Sequence, residues 1–74
     1  MNGRLPAVTG RQVIRALEKS GWTVERTRGS HWSMGHPDVG YVVVVPLHKE
    51  LAKGTLNRIL KDTGLSRDEL RRLL

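Results

Sequence analysis

Four consecutive valines, Val42 to Val45, constrain this chain more than any other feature, because side chains branched at Cβ suit a pleated sheet and lose rotamer freedom in a helix. The run from Tyr41 to Pro46 therefore predicts a strand, and the best protected one in the molecule. Upstream, Trp22-Thr23-Val24-Glu25-Arg26-Thr27 alternates large apolar with polar residues, which puts Trp22 and Val24 on the core side of another strand. His31-Trp32-Ser33-Met34 alternates again. With Trp32 and Met34 turned to the core, His31 and Ser33 point the other way and His31 is accessible. Turn formers separate the runs: Gly29-Ser30 after the first, and His36-Pro37-Asp38-Val39-Gly40 after the second. Three strands joined by links this short predict an antiparallel meander.

Helical patterns flank the strands. Thr9-Gly10-Arg11-Gln12 has the form of a capping box, a hydroxyl followed three residues later by Gln, and Val13, Ile14 and Leu17 then recur at helical spacing. The helix so predicted runs from about Gly10 to Ser20, with Gly21 as a left-handed cap. Leu47 to Ala52 reads as a connector. Lys53-Gly54-Thr55 opens a second helix carrying Leu56, Ile59 and Leu60 at i, i+3 and i+4, closed by Gly64. Ser66-Arg67-Asp68-Glu69 is a further capping box, starting a short terminal helix with Leu70, Leu73 and Leu74. The predicted architecture is an α+β sandwich of order α-β-β-β-α with a short C-terminal helix, the helices lying on one face of the three-stranded sheet.

Seventy-four residues make one domain over 1–74, and a chain of this size buries only about 60% of the surface its unfolded form exposes, so its core is thin. There is no cysteine to staple that core or to ligate zinc as thiolate, and the expected compartment is the cytoplasm. Met1 to Gly10 has no apolar leader core, and the longest apolar run is far shorter than the roughly 20 residues of a spanning helix. No membrane association is expected. Thirteen Lys and Arg against seven Asp and Glu leave a formal charge of +6, a field that attracts polyanions and makes nucleic acid the leading partner class.

Gly29-Ser30-His31 places an imidazole just past a tight bend that carries Arg26 and Arg28. Histidine exchanges a proton near neutral pH, so it can serve a ribose hydroxyl or a leaving oxygen, while the arginines supply anion affinity. Taken alone, the same three residues also fit a surface histidine after a turn. Together with Gly21-Trp22, Arg26-Thr27-Arg28, His36-Pro37-Asp38, Val45-Pro46-Leu47-His48, Lys53-Gly54-Thr55-Leu56 and Ile59-Leu60, they make nearly the whole chain resemble the HicA toxins of bacterial type II toxin–antitoxin modules, also called YcfA-like proteins. That resemblance implies a fold like the double-stranded-RNA-binding domain, endonucleolytic cleavage of messenger RNA, and neutralisation by a HicB antitoxin that covers the active site. It implies also that the catalytic residue is the histidine of the Gly-Ser-His step, here His31. Trp32 departs from the family pattern, in which many relatives carry a polar side chain or a second histidine.

Cleaving RNA without a metal needs a base for the 2′-hydroxyl, an acid for the departing 5′-oxygen and positive groups around the phosphoryl oxygens. His31 fills one of the first two roles. Ser30 and His48 are candidate assistants, with Lys53 a weaker one, and His48 reads equally as a histidine that bonds backbone and shapes the strand exit. His36, before Pro37, reads as structural. The three histidines lack a familiar zinc spacing, and the carboxylates, Glu25, Asp38 and Glu50 among them, form no paired cluster, so neither metal nor cofactor is expected. For RNA binding the candidates are Arg26, Arg28, Gly29, Lys49, Lys53, Gly54, Thr55 and Arg58, with Lys53-Gly54-Thr55 placed where a helix start offers free amides and a positive dipole end, and Lys49 and Arg58 on or near that unit. Arg67, Arg71 and Arg72 receive no site role, and Trp22 and Trp32 are core residues first. The alternative to an endoribonuclease is a non-catalytic RNA-binding module of the same fold.

Overall fold

The computed structural model describes residues 7–74, so the opening part of the Met1 to Gly10 stretch lies outside the described residues. The elements follow the order α1 (Gly10–Lys19), β1 (Thr23–Arg28), β2 (His31–Gly35), β3 (Val43–Pro46), α2 (Lys53–Thr63) and α3 (Arg67–Leu73). The sheet is antiparallel throughout and ordered β1-β2-β3. This is the expected α+β arrangement, and it is consistent with a fold of the double-stranded-RNA-binding-domain kind. Among the described residues no helix is long and apolar enough to cross a membrane.

Local chemistry starts and stops the helices as the pattern requires. The Thr9 hydroxyl accepts the Gln12 amide at 3.0 Å while the Gln12 side chain accepts the Thr9 amide at 2.8 Å. The Ser66–Glu69 pair repeats that reciprocal cap at the start of α3, so each helix has two of its orphan N–H groups satisfied. Gly21 and Gly64 leave α1 and α2 at φ of +95° and +78°, in the left-handed region that side chains with a Cβ resist. The α1 helix itself ends at Lys19, with Ser20 as its cap.

The core is a thin layer between the helices and one sheet face. Leu17, Met34, Val43, Val45, Ile59 and Leu70 are all sealed from solvent, and Trp22 joins them just before β1 begins. Val24 is only half-buried. Trp32 is half-buried and packs against the same cluster, which confirms the predicted facing of β2.

One expectation for the valine run needs correction. It starts as a strand at Val43, two residues later than predicted, because its ladder with β2 ends at the Met34–Val43 pair. Tyr41 and Val42 are therefore outside the sheet, 54% and 50% exposed, and the Tyr41 hydroxyl donates to the Asp62 backbone oxygen at 2.7 Å instead. As the predicted meander requires, the run is an edge strand, the central position belonging to β2. It is nevertheless the most buried of the three, since three of its four residues are buried beneath the helices. Two features protect its free edge. Pro46 ends the strand with no N–H to leave unpaired, and the Arg58 guanidinium donates to the Val44 backbone oxygen at 3.3 Å.

Candidate active site

A two-residue hairpin turn builds the site. Gly29 has φ of +56° and Ser30 lies outside the positive-φ region, which are the signs of a type II′ turn, whose twist matches that of the strands it joins. Arg28 and His31 are thereby paired directly across β1 and β2, and directly opposed residues share a sheet face. His31 is exposed.

A one-residue bulge then decides which face the arginines take. Val24 pairs with Met34, but Arg26 pairs with Ser33, so Glu25 is an extra residue in β1. Uninterrupted alternation from Trp22 and Val24 would send Arg26 and Arg28 toward the helices. With Glu25 inserted, the phase reverses: Thr27 falls opposite Trp32 on the helix side, and Arg26 and Arg28 fall opposite Ser33 and His31 on the outer side. The Glu25 side chain lies over Gly35, where a Cβ would collide with it. Sequence reading chose both arginines and missed the bulge. The signal was present, since two cations in the core phase of a strand require that phase to break.

Three backbone hydrogen bonds tie the turn, the exit of β3 and the start of α1 into one end of the molecule. The Leu47 amide donates to the Ser30 oxygen at 2.7 Å, the Gly10 amide to the His48 oxygen at 2.9 Å, and the Leu51 amide to the Val8 oxygen at 2.9 Å. Gly10 packs so closely on this exit that an added Cβ would sit 2.9 Å from the Leu47 Cα. The result is that the His31 and His48 rings stand 6.4 Å apart between centroids, edge to face at 77°. His48 is exposed like His31, so both rings are open to a ligand.

The remaining candidates separate into free and engaged groups. Among the described residues Arg26, Arg28, Lys49 and Lys53 make no hydrogen bond or ion pair. The α2 helix that Lys53 opens is capped by Ala52 without a side-chain bond, so the amides of its first turn, Gly54 and Thr55 included, lack the reciprocal cap found on α1 and α3. Arg58 differs from its neighbours: besides Val44 it meets Asp62 at 3.6 Å, and its guanidinium helps hold α2 to β3. Ser30 is exposed beside His31, its carbonyl committed to Leu47. His36 lies away from this end, 5.2 Å from Trp22 between ring centroids, with its Nδ1 accepting the Asp38 amide at 3.0 Å. Among the described residues no three His, Cys, Asp or Glu side chains gather into a metal-binding group.

No curated protein matches the chain. The family model described as the HicA toxin of bacterial toxin-antitoxin matches residues 10–65, from the first residue of α1 to just beyond the Gly64 cap, and therefore includes every part of the site assembled above. The chain belongs to the HicA toxin family, and is a toxin of a toxin–antitoxin module with a cognate antitoxin as partner.

Proposed function

We propose that this toxin is a metal-independent endoribonuclease that cleaves messenger RNA in the cytoplasm, with His31 as its catalytic residue, and that an antitoxin of the HicB type silences it by covering that residue. The observation that carries the reading is the His31–His48 pair, 6.4 Å apart on the sheet face that also bears Arg28. The attacking 2′-oxygen and the departing 5′-oxygen lie on opposite sides of phosphorus, so transesterification calls for two proton-transfer groups separated by about one phosphodiester. Two imidazoles at this separation meet that requirement, one as base and the other as acid. Ser30, next to His31, is a further hydroxyl within the turn. Charge that gathers on the phosphoryl oxygens is met by Arg26 and Arg28. The open amides at Gly54 and Thr55, with Lys49, Lys53 and the Gly29 backbone, hold the flanking phosphates. Arg58, engaged with Val44 and Asp62, is left the smaller share.

The step balances without a cofactor: the 2′-oxygen bonds to phosphorus as its proton passes to the base, and the bond to the 5′-oxygen breaks as the acid protonates it. The products are a 2′,3′-cyclic phosphate and a 5′-hydroxyl. The test is incubation of purified toxin with a messenger RNA in excess chelator, followed by end-group analysis. Fragments with cyclic phosphate ends support the reading, and 5′-phosphate ends reject it. Retained RNA binding with no fragments from the wild-type protein favours the non-catalytic module, and cleavage that persists in a stable complex with the antitoxin refutes the proposed mode of silencing.

A further inference from the structure

One cation at the His31 end had no place in the sequence reading. Arg11, in the first turn of α1, holds its guanidinium carbon 5.6 Å from the centroid of the Trp32 ring. Three observations bear on what it does there. The guanidinium has no carboxylate or carbonyl partner among the described residues, and the first turn of α1 contains no acidic residue. Several other cations are tied down, Lys19 to the Leu73 oxygen, Arg58 to Asp62, Arg67 to Asn57 and Arg71 to Asp68, so Arg11 belongs with the cations left open for a ligand. Finally, the Gly10 amide is bonded to the His48 oxygen, so the turn that carries Arg11 is fixed to the segment that carries the second imidazole.

A guanidinium held over an indole by cation–π attraction spends none of its N–H donors on a hydrogen bond to the ring, so they stay available. The contact thus localises a cation for an oxyanion without neutralising it. Trp32 is half-buried and immobilised against the core, which makes it a firm support. Alternation along β2 puts Trp32 on the helix side and His31 on the outer side, so Arg11 and His31 flank the same end of β2 from its two faces. A group there cannot serve the phosphate under attack. It can serve a neighbouring one on a strand that passes around the end of the sheet.

We propose that Arg11 is an RNA-binding residue that grips a phosphodiester flanking the scissile one, with Trp32 as the positioning residue that holds its guanidinium ready. This rests on the ribonuclease reading for the identity of the polyanion and extends it to a second face of the molecule. Removing one phosphate contact lowers the slope of log affinity against log salt by about 1.

The test uses the full chain carrying His31→Ala, so that a short labelled single-stranded RNA is bound and not cut, with affinity measured by fluorescence anisotropy over a salt series. Arg11→Gln, which keeps stem length and removes the charge, is expected to weaken binding about five- to twentyfold and to flatten the salt slope by about one contact. Arg15→Gln, one turn along on the exposed side, leaves both within twofold. Trp32→Leu reproduces much of the Arg11→Gln loss, and the double variant adds little to either. Thermal melts of each variant establish that the folded protein is being titrated. An Arg11→Gln variant with the parent's slope and affinity overturns the proposal, as does full additivity of Arg11→Gln and Trp32→Leu. The expected Arg11 effect, found while the protein with His31 intact cleaves no RNA, overturns the enzymatic reading alone and leaves Arg11 as a binding residue.

Discussion

His31 and His48 show how much of this site is chemistry of single residues and how much is placement. Each is an ordinary exposed histidine by itself. What sets them apart is that a Gly-Ser turn and a strand exit bring their rings to 6.4 Å. The choice of His31 required the Gly-Ser-His step together with the family resemblance that it carries, whereas the status of His48 depended on the pairing of β2 with β3, which no local pattern reveals. If His48 shares the proton transfers, His48→Gln lowers kcat by about 10²-fold, in the range removed with a general acid or base, while leaving RNA affinity nearly intact. A single-turnover cleavage assay, run beside anisotropy binding, separates those two quantities. An equal fall in affinity with no change in kcat would instead make His48 a contact for the substrate.

At the scale of elements, the sequence was most legible where the physics is local. Thr9 with Gln12, and Ser66 with Glu69, announce helix starts because both partners of each capping box lie within four residues. Gly21 and Gly64 announce helix ends for the same reason. The bulge at Glu25 and the late start of β3 were hidden because each is set by a partner strand distant in sequence. Tyr41 and Val42 are as suited to a strand as the valines that follow, but β2 offers them no ladder beyond Met34.

Two element-scale outcomes follow. Gly35→Val drives the Glu25 side chain from its seat and loosens the bulge that holds Arg26 in the outer phase, while Arg28 keeps its place opposite His31 across the turn. RNA affinity should then fall at least tenfold, and adding Arg26→Ala should cost nothing more, although Arg26→Ala alone weakens the parent. Anisotropy binding of the four proteins forms the double-mutant cycle, and simple additivity would show that the bulge does not aim the arginine.

The second concerns α3. The Ser66 backbone amide bonded to Glu69 holds that carboxyl below its ordinary range, with smaller contributions from the Ser66 side chain and the Arg72 charge. A carboxyl depressed in the folded state stabilises fully above its unfolded pKa, and the contribution disappears as pH falls through the lower folded value. The cap of α3 should therefore loosen only in acid, below the usual carboxylate range. Backbone chemical shifts of Ser66 to Leu70 against pH will report it, and Glu69→Gln should flatten the titration.

For the whole molecule, packing extends beyond the part that carries the site. The family match stops at residue 65, yet the α3 that follows supplies Leu70, with no exposure to solvent, and ties Lys19 to its last turn. Leu70→Ala should cost about 2–5 kcal/mol by denaturant unfolding, a large share of the stability of so small a core, and leave the cleavage rate per folded molecule unchanged. The +6 net charge attracts a polyanion to the molecule generally, and the unengaged Arg26, Arg28, Lys49 and Lys53 are the cations proposed to receive it. Net charge was legible in composition. Which cations are already occupied was not, because only tertiary contacts show it.

The central claim, that one open imidazole cleaves RNA, is tested most directly by comparing first-order cleavage of a single messenger RNA by the wild-type protein and by His31→Ala. Both are assayed in chelator, after matched circular dichroism and matched RNA binding show that the variant is folded and loaded. A fall of about 10²- to 10⁴-fold in the variant is the expected result. Equal rates from the two proteins would contradict the account and remove His31 from the chemistry.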